Sequence, residues 1–214
     1  MMFSRAEKTP LAEWWWSIDR ELLGGLILLM TCGMVLSFAA SPPVAERIGL
    51  SEWYFVLRHA MFCGLALPVM LLTSLLNHRQ ARLIALGTLV VSVLLLWATL
   101  RFGAEVKGAR RWIAFAGQSV QPSEFVKPAF AVLSAWLFSE SMIHRNVPGK
   151  ILATLVMLSI VTGLLLQPDI GQTALILGTW AVLLFLSGIS WFLIFGMAGG
   201  AGALLFGAYM FFPH

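Results

Sequence analysis

The chain has 214 residues, of which 59% are hydrophobic and 11% charged, and its mean hydropathy is +0.87. That composition excludes an ordinary water-soluble globule: at about 20 apolar residues per bilayer crossing, the length fills with spans and leaves little for a separate aqueous domain. The formal charge of +4, from 14 Lys and Arg against 10 Asp and Glu, matters less than where those charges lie.

In chain order, residues 1–21 read as a cytoplasmic N-terminal segment carrying Trp14-Trp15-Trp16, an interfacial anchor by position. Residues 22–214 read as a single transmembrane domain. The stretches 22–45, 59–78, 83–100 and 151–168 lack Asp, Glu, Lys and Arg, and each is about one crossing long. The uncharged tail 170–214 is too long for one helix, and Ser187-Gly188-Ile189-Ser190 before Trp191 offers a turn at which to divide it. Residues 121–142 also form a span, with Glu124, Lys127 and Glu140 near its ends. The expected fold is therefore all-α and polytopic, with seven helices near 22–41, 54–76, 83–101, 123–143, 151–166, 171–187 and 191–212. No cleavable signal peptide is expected, because the first apolar run is long enough to span. Cys32 and Cys63 lie in apolar runs and give no disulfide framework. His59 and His78 have no cysteine or carboxylate partners at ligand spacing, so no metal is expected. The small residues of 196–207 suit close packing between helices.

Orientation follows from the short loops. With the N-terminus inside, Arg5, Lys8, Arg20, Arg79, Arg82, Arg145 and Lys150 collect on the cytoplasmic side beside helix ends. The loop between the third and fourth helices is the exception, holding Arg101, Lys107, Arg110 and Arg111, with Lys127 one turn into the next helix. Basic residues kept on the outer side imply an anion to meet.

That region reads Gly108-Ala109-Arg110-Arg111-Trp112-Ile113, then Gln121-Pro122-Ser123-Glu124-Phe125-Val126-Lys127, and some way on Gln167-Pro168-Asp169-Ile170-Gly171-Gln172-Thr173. The two motifs, in this order and on one face of the membrane, resemble the SEDS family of bacterial envelope proteins, FtsW and RodA. Arg58, early in the second helix, suits the same pattern. The N-terminal stretch, with Asp19-Arg20 and Ser41-Pro42-Pro43, is more similar to the FtsW branch of alphaproteobacteria. The resemblance implies a multi-pass protein of the bacterial inner membrane at the division septum. It further implies a glycosyltransferase that polymerises lipid II, with a class B penicillin-binding transpeptidase and other division proteins as partners. Membrane lipid is the surrounding medium, no nucleic acid is implied, and no cofactor is assigned.

The residues are chemically compatible with that function. Lipid II carries a pyrophosphate at the membrane surface and a polyprenyl chain in the bilayer, so its site needs outer cations beside apolar grooves. Arg110, Arg111 and Lys127 supply cations, and a departing pyrophosphate gains charge that such groups stabilise. If the loop is helical, Lys107, Arg110 and Arg111 share one face, with Trp112 and Phe115 in the interface. Arg58, Arg110, Arg111, Trp112, Gln121, Glu124, Lys127 and Asp169 are the candidate substrate-binding residues. Plainer roles compete for each. Arg110 and Arg111 would meet headgroups, Glu124 and Lys127 would pair across one turn, Asp169 would cap the sixth helix, and Arg58 would snorkel. A lipid II flippase or a non-catalytic member of the division complex are the alternative functions.

Family members have about ten helices by this resemblance, with the catalytic Asp in an extracytoplasmic loop after the seventh. The resemblance covers the N-terminal part of that pattern, and the expected base lies beyond His214. The catalytic residue is accordingly unassigned. A purified chain of these 214 residues given lipid II is expected to make no glycan polymer; gel-resolved polymer synthesis would place the general base within them.

Overall fold

The computed structural model describes residues 14–16, 18–106, 108–115, 118–144, 146–190, 192, 195–196 and 199–200. They form six helices: α1 (Arg20–Arg47), α2 (Tyr54–Ser74), α3 (His78–Phe102), α4 (Pro122–Ile143), α5 (Gly149–Leu166) and α6 (Ile170–Leu186). Three short strands stand between α3 and α4: β1 (Ala104–Val106), β2 (Ala109–Phe115) and β3 (Gln118–Val120). These six helices match the first six expected spans, and α1, α2, α3 and α5 are long and apolar enough to cross a membrane. The expected seventh span lies almost wholly outside the described residues, as do Lys107 and Arg145.

Caps explain the boundaries. Asp19 starts α1 by accepting from the amides of Glu21 and Leu22, both at 3.0 Å. Its end falls later than the expected boundary near residue 41, because the helix runs through Pro42 and Pro43. The stop is Gly49, at φ 70°, where the Leu50 amide reaches back to the Ala45 carbonyl at 3.0 Å. The same device ends α6: Gly188 has φ 91° and the Ile189 amide returns to the Leu184 carbonyl at 3.2 Å.

The chain divides into two compact units, Met1–Asn77 and His78–His214. In the first, α1 packs on α2, and Gly33 leaves room for the His59 ring. Trp14 donates its indole N–H to the Ser74 hydroxyl at 2.8 Å, and the Arg20 guanidinium lies over the rings of Trp15 and Trp16, at 5.2 and 4.7 Å. A charged group stacked on interfacial aromatics is what an anchor at the membrane edge requires.

In the second unit α3, α4, α5 and α6 pack around Leu96, Val126, Phe130, Ile160, Leu164 and Ile176. Since lipid tails are as apolar as these side chains, association of the helices rests on close packing rather than on escape from water. Glycines make two of those approaches possible. A β-carbon at Gly149 would overlap the Leu137 carbonyl of α4, and one at Gly163 would overlap the Leu96 side chain of α3. Gly149→Ala is expected to destabilise the protein by about 1–3 kcal/mol, since a backbone carbonyl cannot yield as a side-chain tip does. Gly178→Ala, with open space at the β-carbon, should be neutral or slightly stabilising. Thermal unfolding of the two variants in detergent checks the contrast.

Candidate functional site

Because successive helices in the second unit alternate in direction, the C-terminal ends of α3 and α5 meet the N-terminal ends of α4 and α6. The strands extend from the same end. Burial alternates along β2 as a strand requires: Ala109 is buried, Arg111 and Ile113 half-buried, while Arg110, Trp112 and Ala114 are exposed. Gly108, at φ 77°, turns β1 into β2, and the pairs Glu105 with Arg110 and Ile113 with Val120 set the antiparallel register.

This geometry corrects the helical reading of the loop. On a helix Arg110 and Arg111 would share a face; on a strand neighbours point to opposite faces, and the two arginines part. Arg110 turns outward and pairs with Glu105 across the hairpin at 3.2 Å. Arg111 turns inward to the turn between α5 and α6. There its Nε donates to the Gln167 carbonyl at 3.1 Å and an Nη donates to the Pro168 carbonyl, while the Asp169 carboxylate lies 3.8 Å away. The guanidinium thus covers carbonyls that α5 leaves unpaired at its end.

Asp169 does cap α6, accepting from the Gln172 amide at 3.4 Å, and its other oxygen accepts from the Gln121 amide group at 3.3 Å. Glu124 and Lys127 pair at 2.7 Å across one turn of α4, and Glu124 also accepts from the Gln172 side chain at 2.9 Å. Arg111, Gln121, Glu124, Lys127 and Asp169 therefore belong to one network joining β2, the start of α4 and the start of α6. Trp112 stands on the outward face of β2 beside Arg110. Arg58 is in the first unit, donating to the Tyr54 hydroxyl at 3.1 Å and lying near the Tyr54 and Phe62 rings.

The sequence reading passed over Gln167. It is 3% exposed, and its amide donates to the Leu96 carbonyl at 2.8 Å and to the Thr99 hydroxyl, both in the last turns of α3. Gln172, which bridges the two carboxylates, was also passed over as a site residue, as was Glu105. The available signal was an amide side chain ending an otherwise apolar span, where burial obliges it to find partners.

Two clefts adjoin this end. A groove of about 420 Å³, lined mainly by apolar groups, runs along α3 from Gly87 to Leu95 and reaches Val120, Pro122 and Phe125. A smaller cleft of about 230 Å³ lies between the hairpin and the end of α5, at Glu105, Arg110, Leu166 and Pro168. Among the described residues no three His, Cys, Asp or Glu side chains group as a metal site would require.

Residues 20–212 match the FtsW, RodA and SpoVE family, described as cell cycle proteins. The chain belongs to this family. An FtsW of Caulobacter vibrioides, described as a probable peptidoglycan glycosyltransferase, is 42% identical over 215 residues, covering 99% of this chain and 55% of the relative. That similarity bears out the alphaproteobacterial FtsW character read from the N-terminal stretch. The crystal structure of Thermus thermophilus RodA superposes with a TM-score of 0.70 at 28% identity, over 89% of this chain and 60% of RodA. A chain solved in a study of how a peptidoglycan synthase complex coordinates polymerization and crosslinking gives 0.66 at 27% identity, over 86% of this chain and 54% of its own. The chain spans about half the length of the curated relatives it matches. As a family member with several apolar spans, it is a multi-pass membrane protein.

Asp169 separates two contributions to the network. Asp169→Ala removes the α6 cap and a partner of Arg111, and should lower stability by about 1–2 kcal/mol; Asp169→Asn keeps the cap and should lose less. Thermal midpoints of both variants in detergent test the ordering.

Proposed function

We propose that this end of the second unit binds the pyrophosphate of a lipid-linked sugar donor, within a peptidoglycan glycosyltransferase that polymerises lipid II during bacterial cell division. With the N-terminus cytoplasmic, the network faces the outer side of the inner membrane, where that precursor presents its headgroup. The observation that carries the reading is the meeting of two distant motifs in one polar network beside an apolar groove. Lys127 and Arg111 are both about one-third exposed on their side chains, and Arg111 holds its position with only part of its donor fork. Such cations, fixed before the substrate arrives, stabilise charge on a departing pyrophosphate without reorganising during the reaction. The groove along α3 offers a polyprenyl chain an apolar course away from those cations. Arg110 and Trp112, exposed on β2, extend the same surface toward the sugar and headgroup side.

The carboxylates here are already engaged: Glu105 with Arg110, Glu124 with Lys127 and Gln172, Asp169 with Gln121 and the α6 amide. We assign the general base for the acceptor hydroxyl to none of them. The names of the relatives support the chemistry, and the neighbour solved in a peptidoglycan synthase complex that coordinates polymerization and crosslinking supports a crosslinking partner, which on this reading is a class B transpeptidase. A flippase would need polar groups through the span. In the second unit the charged side chains lie toward the two ends, with Leu96, Phe130 and Ile160 buried between them, which favours the polymerase reading.

In the full enzyme with its transpeptidase, Lys127→Ala and Arg111→Ala should each weaken lipid II binding by roughly 10–100-fold, the range for losing a charge-assisted hydrogen bond. Binding to lipid II in nanodiscs and polymer formation are the measurements. Unchanged values for both variants would return these cations to headgroup contacts, and precursor transport without polymer formation would support a flippase instead.

A further inference from the structure

Gln167 joins three elements that otherwise have no covalent reason to stay in register. Its side-chain amide donates to the Leu96 carbonyl and the Thr99 hydroxyl of α3, while its own carbonyl accepts from Arg111 of β2. Its chain neighbours Pro168 and Asp169 carry the other contacts of Arg111 and the cap of α6. The amide is buried among Leu96, Thr99 and Leu164, each fully buried, so it has no water with which to exchange these bonds. Thr99 also donates to the Leu96 carbonyl, so the receiving end of the lock is itself held. From this arrangement we infer that Gln167 is a positioning residue: it ties the α5–α6 turn to the end of α3 and thereby places Asp169 and the Arg111 guanidinium. It does not touch substrate, and its effect on substrate rests on the site reading given above.

The lock can be removed without removing the fold. Gln167→Leu keeps the volume in an apolar pocket, and the Thr99 hydroxyl still has the Leu96 carbonyl as its acceptor. Thr99→Val removes one of the two acceptors and leaves the amide its bond to the Leu96 carbonyl, a partial release, whereas Thr99→Ser retains both. In the full enzyme with its transpeptidase, Gln167→Leu should raise KM for lipid II roughly tenfold, and Thr99→Val in the same direction by less, each with a smaller change in kcat, as for displacement of binding groups by a fraction of an ångström. The double variant should be no worse than the poorer single one, and Thr99→Ser should behave as wild type. A role in folding alone would lower the active fraction, and so the apparent kcat, with KM unchanged.

Amide hydrogen exchange in the first turn of α6 reads the lock without any substrate. Exchange at the Gln172 amide should speed up several-fold in Gln167→Leu and in Thr99→Val, but not in Thr99→Ser. Wild-type exchange there in both disruptive variants would overturn the inference, whichever reaction the site serves. If exchange speeds up as expected while the wild-type enzyme neither binds nor polymerises lipid II, the lock stands and the proposed function falls. If the first variant does not fold, Thr99→Val alone decides by the same two readouts.

Discussion

The carbonyls of Gln167 and Pro168, where α5 ends, have no partners within the helix. Arg111 reaches them from a strand, and Gln167 ties the same turn to α3. The positions of Asp169, of the α6 start and, through Gln172 and Glu124, of the α4 start follow from that junction. Each polar group there satisfies a backbone or side-chain group on a different element, so the network is both the means of closing helix ends and the scaffold of the site.

This double use explains why the exceptional charge of the outer loop is not a loose cluster. Arg110, Arg111 and Lys127 look equivalent as cations, but the strand separates the arginines to opposite faces and each cation has an acidic neighbour within 4 Å. On the proposed reading, an anion would meet the unused part of each donor set. A partly engaged guanidinium is held rigidly, and rigidity is what an anion site gains from neighbours of its own charge type being kept apart.

The spans were legible because uncharged length is a one-dimensional property, and each of the six described helices falls on an expected span. The ends were less so. The first helix was expected to end near residue 41, yet the chain turns at Gly49, where the left-handed conformation lets the last carbonyls be satisfied. The strands were missed because three- and seven-residue segments joined by a tight turn carry a weak local signal, and Ala109 to Ala114, with adjacent arginines followed by adjacent apolar residues, offers no period-two pattern to set against a helical reading.

Charge placement and apolar run length, both read along the chain, determined that this is a polytopic helical membrane protein, and two ordered motifs determined its family. Which motif residues touch was decided only in three dimensions. Arg111 and Asp169 are brought together by antiparallel helices and a strand's alternation, and Gln167 acquires its role from Leu96 and Thr99, far away in sequence. A buried amide must find partners wherever the packing places them, and no local pattern names those partners in advance.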